Sequence, residues 1–271
     1  SAVLYKPLNS DEHKWDLKKA VELCDLAIER FPESDGANAC YNLKQEINNK
    51  SIAATIEEQN VPWKPFRALI KYQNINQLYY RIIKTDRKSV EALREKLEKD
   101  YDIDREEEFI KYFVAQTPVQ SGNYQLESDG DYQMHSVEVK VDALPAGEYM
   151  VLFSHDQGFV TDKNGMAYAF TVISDISYIH RNSKKGETEF YVLSRSTGEP
   201  MPGVNLKVMA KEWNYKKRKN TIINIDNLTT DEEGFAKLKY INKSNRSNFF
   251  VDFSKGDDFI STQSVDSYRS W

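Results

Sequence analysis

Cysteine is nearly missing from this chain: 271 residues contain only Cys24 and Cys40, too few for a disulfide-stapled scaffold. No apolar run approaches the roughly 18 residues that a membrane-spanning helix needs, so no transmembrane segment is expected. Histidine is scarce as well. His13, His135, His155 and His180 show no i,i+4 pairing of the kind that holds zinc on one helix, and they read as surface or loop residues. His155-Asp156 could orient an imidazole, but no Gly-x-Ser-x-Gly elbow supplies a nucleophile. The segment SRSTGEP lacks both the glycine spacing and the Lys-Ser pair of a phosphate loop. Glutamates abound, yet nothing in the sequence pairs two of them for acid–base chemistry. The formal net charge of −5 argues against nucleic acid or an anionic membrane as the main partner. These absences point away from an enzyme and predict no cofactor, no bound metal and no catalytic residues.

One metal lookalike needs an explicit answer. Asp100-x-Asp102-x-Asp104 places carboxylates at the first three ligand spacings of a calcium loop. Such a loop needs glycine at its sixth position and a bidentate glutamate at its twelfth. Arg105 and Lys111 stand there instead; one opposes a cation and the other offers no oxygen. The stretch reads as a solvated turn between helices. Asp129-Gly130-Asp131 has too few ligands to argue from.

Residues 11–48 carry helical periodicity. Leu17, Ala20, Val21, Cys24, Ala27, Ile28 and Phe31 recur at spacings of three and four, an amphipathic stripe. Pro32 ends it. Ser34 or Asp35 can cap a second helix whose stripe is Ala37, Cys40, Leu43, Lys44 by its stem, and Ile47. Both cysteines lie on these stripes, as buried free thiols or as a single bridge across the hairpin, so cysteine usage does not decide the compartment. AVELCDLAIERFPES with the alanine-containing helix after it resembles one tetratricopeptide unit, either the last hairpin of a longer helical segment or an N-terminal cap.

From Ser51 the period changes. Phe66, Ala68, Ile70 and Tyr72 alternate with Arg67, Leu69 and Lys71, the mark of a half-buried strand. Asn74-Ile75-Asn76 turns the chain into a second strand, Leu78 to Lys84. Residues 88–114 return to helix: Ser89 caps the first piece, Glu95 and Lys99 make an i,i+4 pair, and Asp104 with Glu107 forms an approximate capping box ahead of inward-facing Phe109, Ile110 and Phe113. Strands resume with Val137, Val139 and Val141, then Tyr149, Val151 and Phe153 after a Pro145–Gly147 turn, then Met166 to Ile173. Beyond residue 174, Phe190 to Leu193 is a strand. Val204, Leu206, Val208 and Ala210 alternate with Asn205, Lys207, Met209 and Lys211. Ala236, Leu238 and Tyr240 follow the Asp231–Gly234 turn, and Phe249, Val251 and Phe253 close the series. Sixteen tyrosines and thirteen phenylalanines suit such half-wet strands. Short strands with turn punctuation predict a mainly β chain: a helical hairpin at 1–50, a β-sandwich at 51–174 with a helical insertion at 88–114, and a second sandwich at 175–271.

The order YQNINQLYYRIIK, VEVKVDALPAGEYMVLF, FTVISDISYI, FYVLSRSTGEPMPGVNLKV and TDEEGFAKL resembles consecutive macroglobulin-like domains near the N-terminus of bacterial alpha-2-macroglobulin family proteins, over roughly residues 51 to 260. The TGEPMPGV and TDEEGFAKL pair is also shared by other bacterial immunoglobulin-like modules. The resemblance implies tandem immunoglobulin/fibronectin-like sandwiches in a large extracytoplasmic protein, in periplasm or at the cell surface, that entraps proteases when a bait segment is cut. Many members also use a Cys-Gln thioester. This chain has no Cys-x-Glu-Gln, and its cysteines sit in CDLA and CYNL, so it cannot perform the trapping chemistry alone. Its partners would be other domains of the parent, with proteases as the parent's targets. The opening Ser-Ala-Val-Leu has no charged-then-apolar leader, so a signal peptide is expected to have been removed or never present. The end at Trp271 without a polar tail suggests a piece of a longer protein.

One basic–aromatic patch remains: Trp213 and Tyr215 among Lys211, Lys216, Lys217, Arg218 and Lys219. Such a mixture can stack rings and grip phosphates. Set between strands, it also fits a hairpin whose lysines keep an edge from pairing with another chain, or a contact with a neighbouring domain, glycan or partner protein. Asn49, Asn227, Asn242 and Asn245 each begin an N-x-Ser/Thr sequence, irrelevant in a bacterial protein. The reading is a non-enzymatic scaffold fragment of a protease trap. The alternatives are a glycan- or protein-binding module of a surface protein, or domains accessory to an absent catalytic domain.

Overall fold

The computed structural model describes residues 13–160, 165–183, 187–216, 218–239, 248–262 and 265–266. Helices α1 (Asp16–Arg30) and α2 (Asp35–Ile47) form the expected hairpin. Ser34, not Asp35, is the cap: its hydroxyl accepts from the Ala37 N–H at 3.1 Å. Ala20, Val21, Cys24, Ala37 and Ile47 are buried. Phe31 departs from the expected stripe. It is the C-cap residue of α1, with non-helical φ and ψ, so it leaves the helical phase and stands 65% exposed. Tyr132 packs on Ala20, Val21 and Ile47, and the Asn74 amide donates to the Ile47 carbonyl at 2.7 Å and the Asn49 carbonyl at 2.8 Å.

The chain then runs through β1 (Ser51–Ile56), β2 (Gln59–Asn60), β3 (Phe66–Gln73), β4 (Gln77–Thr85), α3 (Arg87–Leu97), α4 (Arg105–Val114), β5 (Gln120–Gln125), β6 (His135–Val141), β7 (Gly147–Ser154) and β8 (Met166–Ile173). One sheet has the order β1-β3-β6 and the other β2-β8-β7-β4-β5. Ala68, Ile70, Val139 and Val141 of the first sheet are buried, as are Leu78, Tyr80, Ile82, Tyr149, Val151 and Phe153 of the second. This is the first sandwich. The two helices leave β4 and return to its hydrogen-bonded neighbour β5, so they insert without disturbing the strand order.

That insertion alters one expectation. Tyr149, Val151 and Phe153 form the expected inner face of β7, and Met150 and Leu152 on its other face are equally buried. Phe109 and Phe113 of α4 pack against them with Ile83, Phe159 and Met166, covering the face that a two-layer sandwich leaves wet. The cap of α3 also differs: Asp86 is the acceptor, taking the Ser89 N–H at 2.9 Å and its hydroxyl at 2.6 Å. Ser89 is a donor to the cap rather than the cap itself. At α4 the Asp104 carboxylate accepts from the Glu107 N–H at 3.1 Å, as the capping pattern predicts.

The second sandwich is built from β9 (Ile176–Asn182), β10 (Thr188–Ser194), β11 (Asn205–Asn214), β12 (Lys219–Thr229), β13 (Phe235–Leu238), β14 (Asn248–Lys255), β15 (Asp258–Ser261) and β16 (Val265–Asp266). Its sheets run β13-β10-β9 and β12-β11-β14-β15, with β16 pairing β14. Aromatic packing joins the layers: Tyr178 of β9 stacks on Phe253 of β14 at 4.7 Å, and Phe190 of β10 meets Phe253 at 5.9 Å and Phe249 at 6.5 Å, both edge-on. Met209, expected on the wet face, is buried. Val208 and Ala210 remain buried on the other face, and the nearby bulge belongs to β12, where Ile225 is the extra residue between Asp226, opposite Val208, and Asn224, opposite Met209. Tyr240 lies outside the described residues.

Packing divides the chain into two units. One is Ser1–Glu57, Arg67–Val141 and Tyr149–Thr171; the other is Glu58–Phe66, Asp142–Glu148 and Val172–Trp271.

Candidate functional site: paired crossovers and a basic hairpin

The two sequence motifs that end in glycine are the places where the second sandwich changes sheet. The chain leaves β10 in one sheet and enters β11 in the other through Thr197–Val204; it returns from β12 to β13 through Thr230–Gly234. These crossovers lie side by side. The Thr230 hydroxyl donates to the Met201 carbonyl at 2.7 Å and accepts from the Val204 N–H at 2.9 Å. The backbone adds Gly203 N–H to Thr230 O and Thr230 N–H to Val204 O, both 3.0 Å. Asp231 folds the return turn, its Oδ1 accepting from the N–H of Glu233 at 3.0 Å and of Phe235 at 2.9 Å.

Gly234 is required there on two counts. Its φ of +69° disfavours any side chain, and a Cβ would lie 2.3 Å from the Val192 carbonyl and 3.0 Å from the Met201 nitrogen. That closeness lets the Val192 N–H reach the Gly234 carbonyl at 2.8 Å while the Val192 carbonyl takes the Met201 N–H at 2.9 Å. At the start of β9, Asp175 makes a comparable knot. Its Oδ2 accepts from the Ser194 hydroxyl at 2.7 Å and its Oδ1 from the Ser196 N–H at 2.8 Å. Turns cross-linked in this way hold the sheets in a fixed relation.

The β11–β12 hairpin rises from this frame. β11 pairs with β14 only from Asn205 to Met209, and from Ala210 to Asn214 its described partner is β12 alone. Lys211 stands opposite Ile222, and Trp213 opposite Asn220. Residues of equal parity share a face, so Lys211, Trp213, Asn220 and Ile222 form one side. Trp213 is 48% exposed, Ile222 58% and Tyr215 86%. Lys216 and Arg218 are exposed at the turn, where Arg218 has φ +49°. Lys219 pairs with Asn214 through the backbone, while Lys217 lies outside the described residues. Residues 211–219 carry five cations and one anion in a chain of net charge −5. Lys211, Lys216 and Arg218 with Trp213 and Tyr215 give the arm exposed cationic and aromatic side chains, able to stack on a planar ring while the cations hold an anion. Trp213, Tyr215, Lys216 and Arg218 do share one arm; the sequence reading missed the exposed Ile222 beside Trp213.

It also missed Trp63. This residue is 73% exposed, has φ +59° and donates its N–H to the Leu144 carbonyl at 2.9 Å. A left-handed backbone is uncommon for a bulky residue. The prolines in VPWKP gave no signal for it, since they restrict Val61 and Lys64, the residues before them, and not Trp63.

The remaining polar residues singled out in the sequence have structural occupations. Asp104 caps α4, and Asp100 accepts from the Asp102 N–H at 3.2 Å, so this acidic run turns the chain between the two helices. Asp129 pairs with Lys14, and Asp131 with His135 at 2.9 Å. His13 pairs with Asp16 at 2.8 Å, holding that carboxyl below its ordinary value. The His155 N–H donates to the Gly165 carbonyl at 3.2 Å, and His180 stacks on Tyr178.

No protein-family model matches the chain, and no curated protein matches it. Among solved structures it is similar to native alpha-2-macroglobulin from Escherichia coli. A crystal structure of domains MG0-NIE-MG1 gives a TM-score of 0.49 at 15% identity, covering 80% of this chain and 64% of that one. A crystal structure of domains NIE-MG1 gives 0.46 at 15% identity, with 81% and 97% covered. The cryo-EM reconstruction of the native conformation gives 0.42 at 15% identity, with 78% and 12% covered. The chain thus spans less than two thirds of the first of these fragments and about an eighth of the chain in the reconstruction.

Proposed function

We propose that this chain is a non-enzymatic scaffold piece of an alpha-2-macroglobulin-like protease inhibitor acting outside the cytoplasm. The observation that carries the reading is the crossover pair. TGEPMPGV and TDEEGFAKL, which carry the sequence resemblance, are also the two turns that Thr230, Asp231 and Gly234 bind to one another. Their role is mechanical: they hold two sheets in a fixed relation so that a module can transmit a change made elsewhere in the parent. On this reading 1–50 is a tetratricopeptide-like hairpin, and 51–174 and 175–271 are successive macroglobulin-like domains. The partners are the parent's other domains, and proteases are the parent's targets.

Mass spectrometry of the intact parent during limited proteolysis, with and without methylamine, tests the proposal. Cleavage at one internal segment followed by compaction and a retained protease is expected, and a methylamine adduct would add a thioester. Diffuse cleavage without retained protease overturns it.

The exposed face of Trp213 and Ile222 with the neighbouring cations favours a second reading, a module that binds an acidic glycan or protein through the hairpin. Binding on a glycan array that Trp213→Ala abolishes would support it; binding indifferent to Trp213 would remove it.

A further inference from the structure

Strand β12 ends its sheet: among the described residues it pairs with β11 and with no other strand. An open edge of this kind invites a strand from another chain, and proteins blunt such edges with short strands, lysine, proline, bulges or inward charges. The other sheet ends of the second sandwich are blunted: β13 and β15 have four residues each, and β9 carries exposed Arg181. β12 is 11 residues long. The lysines that could guard it stand in its turn, while residues 220–229, NTIINIDNLT, hold no lysine, arginine or proline. Its second half is blunted by the bulge at Ile225, next to Asp226. Its first half is bare: residues 220–224 run in unbroken register against 213–209 of β11. Ile222 at the centre of this stretch, and Trp213 on the same face, are exposed.

Charge decides which strand fits there. The cationic turn with Lys216 and Arg218 precedes β12, while Asp226 and then exposed Asp231, Glu232 and Glu233 lie towards and beyond its far end. A strand with cations at one end and carboxylates at the other complements an antiparallel copy of itself; a parallel copy would set like charges together. A closed pair of identical chains has a two-fold axis, which makes the two strands antiparallel. We propose that the β12 edge is a self-pairing surface that joins two copies of this chain into one continuous sheet about a two-fold axis at Ile222. In that register Asn220 stands opposite Asn224 of the second copy, Thr221 opposite Ile223, and Ile222 opposite its counterpart. Positions of equal parity then meet, so side chains stay on matching faces, and two exposed Ile222 side chains come together with a Trp213 beside each. The Arg218 turn of each copy reaches the Asp226 end of the other, twice in the dimer. Backbone hydrogen bonds between the edges supply the joining, and the end charges fix its direction. This inference goes beyond both functional readings above and needs neither.

The test is sedimentation velocity on the full chain over a micromolar concentration series, with wild type, Arg218→Glu, Asp226→Lys and a one-to-one mixture of the two variants. Wild type is expected to pass from monomer to dimer without larger species, and to dissociate more readily as salt rises. Each variant alone sets like charges together at both ends of the interface and should raise the dimer Kd about tenfold or more. In the mixture the introduced carboxylate faces the introduced ammonium and native Arg218 faces native Asp226, so dimers should form again with about the wild-type Kd. Hydrogen exchange at residues 220–224 should slow as wild type dimerises, with β13 and β15 unchanged. A wild-type chain that stays monomeric, a dimer that neither variant weakens, a mixture no tighter than its components, or protection confined to another strand would overturn the proposal. The wild-type series and its exchange decide the matter even if a variant folds poorly.

Discussion

Gly234 sets the strictest demand on a single residue in this chain. Alanine there meets a carbonyl oxygen at 2.3 Å in a left-handed backbone, so relief needs movement of β10 or of the crossover. Gly198 has a similar φ of +78° with nothing within 4 Å of its virtual Cβ, and it isolates the conformational part. Gly198→Ala should lower unfolding free energy by about 1 kcal/mol, and Gly234→Ala by about 3 kcal/mol or more, read as denaturant midpoints at constant slope. Equal losses would show that the close approach contributes nothing. Trp213 is the opposite kind of residue. Roughly half of it is in solvent, so Trp213→Ala should change stability by less than about 0.5 kcal/mol. A large loss in thermal or chemical unfolding would make it a structural rather than a contact residue.

Among elements, the α3–α4 insertion depends most on packing. Neither helix has a long apolar stripe, and α3 has no fully buried residue. Attachment rests on the buried rings of Phe109 and Phe113, with half-buried Val90, Leu93 and Leu97 of α3 packed against the same cluster. Arg94 lies over the Phe109 ring at 4.0 Å and donates to the Tyr168 hydroxyl at 2.9 Å, and that hydroxyl donates to Glu106 at 2.5 Å. Phe109→Ala removes a fully buried ring beneath both helices and should cost about 3–5 kcal/mol. Hydrogen exchange should rise throughout 87–114 and in β7; exchange unchanged outside α4 would contradict this arrangement.

The cap of α3 adds a pH dependence. The Ser89 hydroxyl first, and its N–H second, hold the Asp86 carboxyl below its ordinary value. A carboxyl with a lowered folded value stabilises fully above its unfolded value of about 3.9 and loses that contribution as pH falls through the folded value. Asp86→Asn keeps a cap but no charge, so it should flatten the acid limb of α3 helicity below about pH 4. An acid limb unchanged in this variant would show that another carboxylate governs it.

On the scale of the whole molecule, the charge is unevenly placed. Five of the 37 Lys and Arg residues crowd into nine positions of the β11–β12 arm, in a chain that is acidic as a whole. An acidic partner held there should bind more weakly as salt rises, because exposed charges are screened over about 10 Å at 0.1 M. Binding that survives 0.5 M salt would assign the contact to Trp213 and Ile222 instead. The proposed scaffold role also predicts that the isolated chain hydrolyses no peptide, ester or glycoside substrate. Activity in a purified, mutation-sensitive form would revive the reading of domains accessory to an enzyme.

The sequence by itself determined the local decisions. Alternation in β3, β6 and β14, helical stripes in α1 and α2, the Ser34 and Asp104 caps and the glycine turns were all legible, because each depends on a few adjacent side chains and their φ and ψ. The basic–aromatic composition of the hairpin was legible for the same reason. Tertiary structure decided what depends on neighbours remote in sequence. It buried Met150 and Leu152 under the insertion, buried Met209 on the face expected to be wet, and made a strand of polar QSGNYQ by pairing it with β4 and stacking Tyr124 on Tyr80 at 5.3 Å. It placed Ile222 beside Trp213 and set Gly234 against Val192. Periodicity reports which face of an element is apolar, but what covers that face is set by packing between segments far apart in the chain.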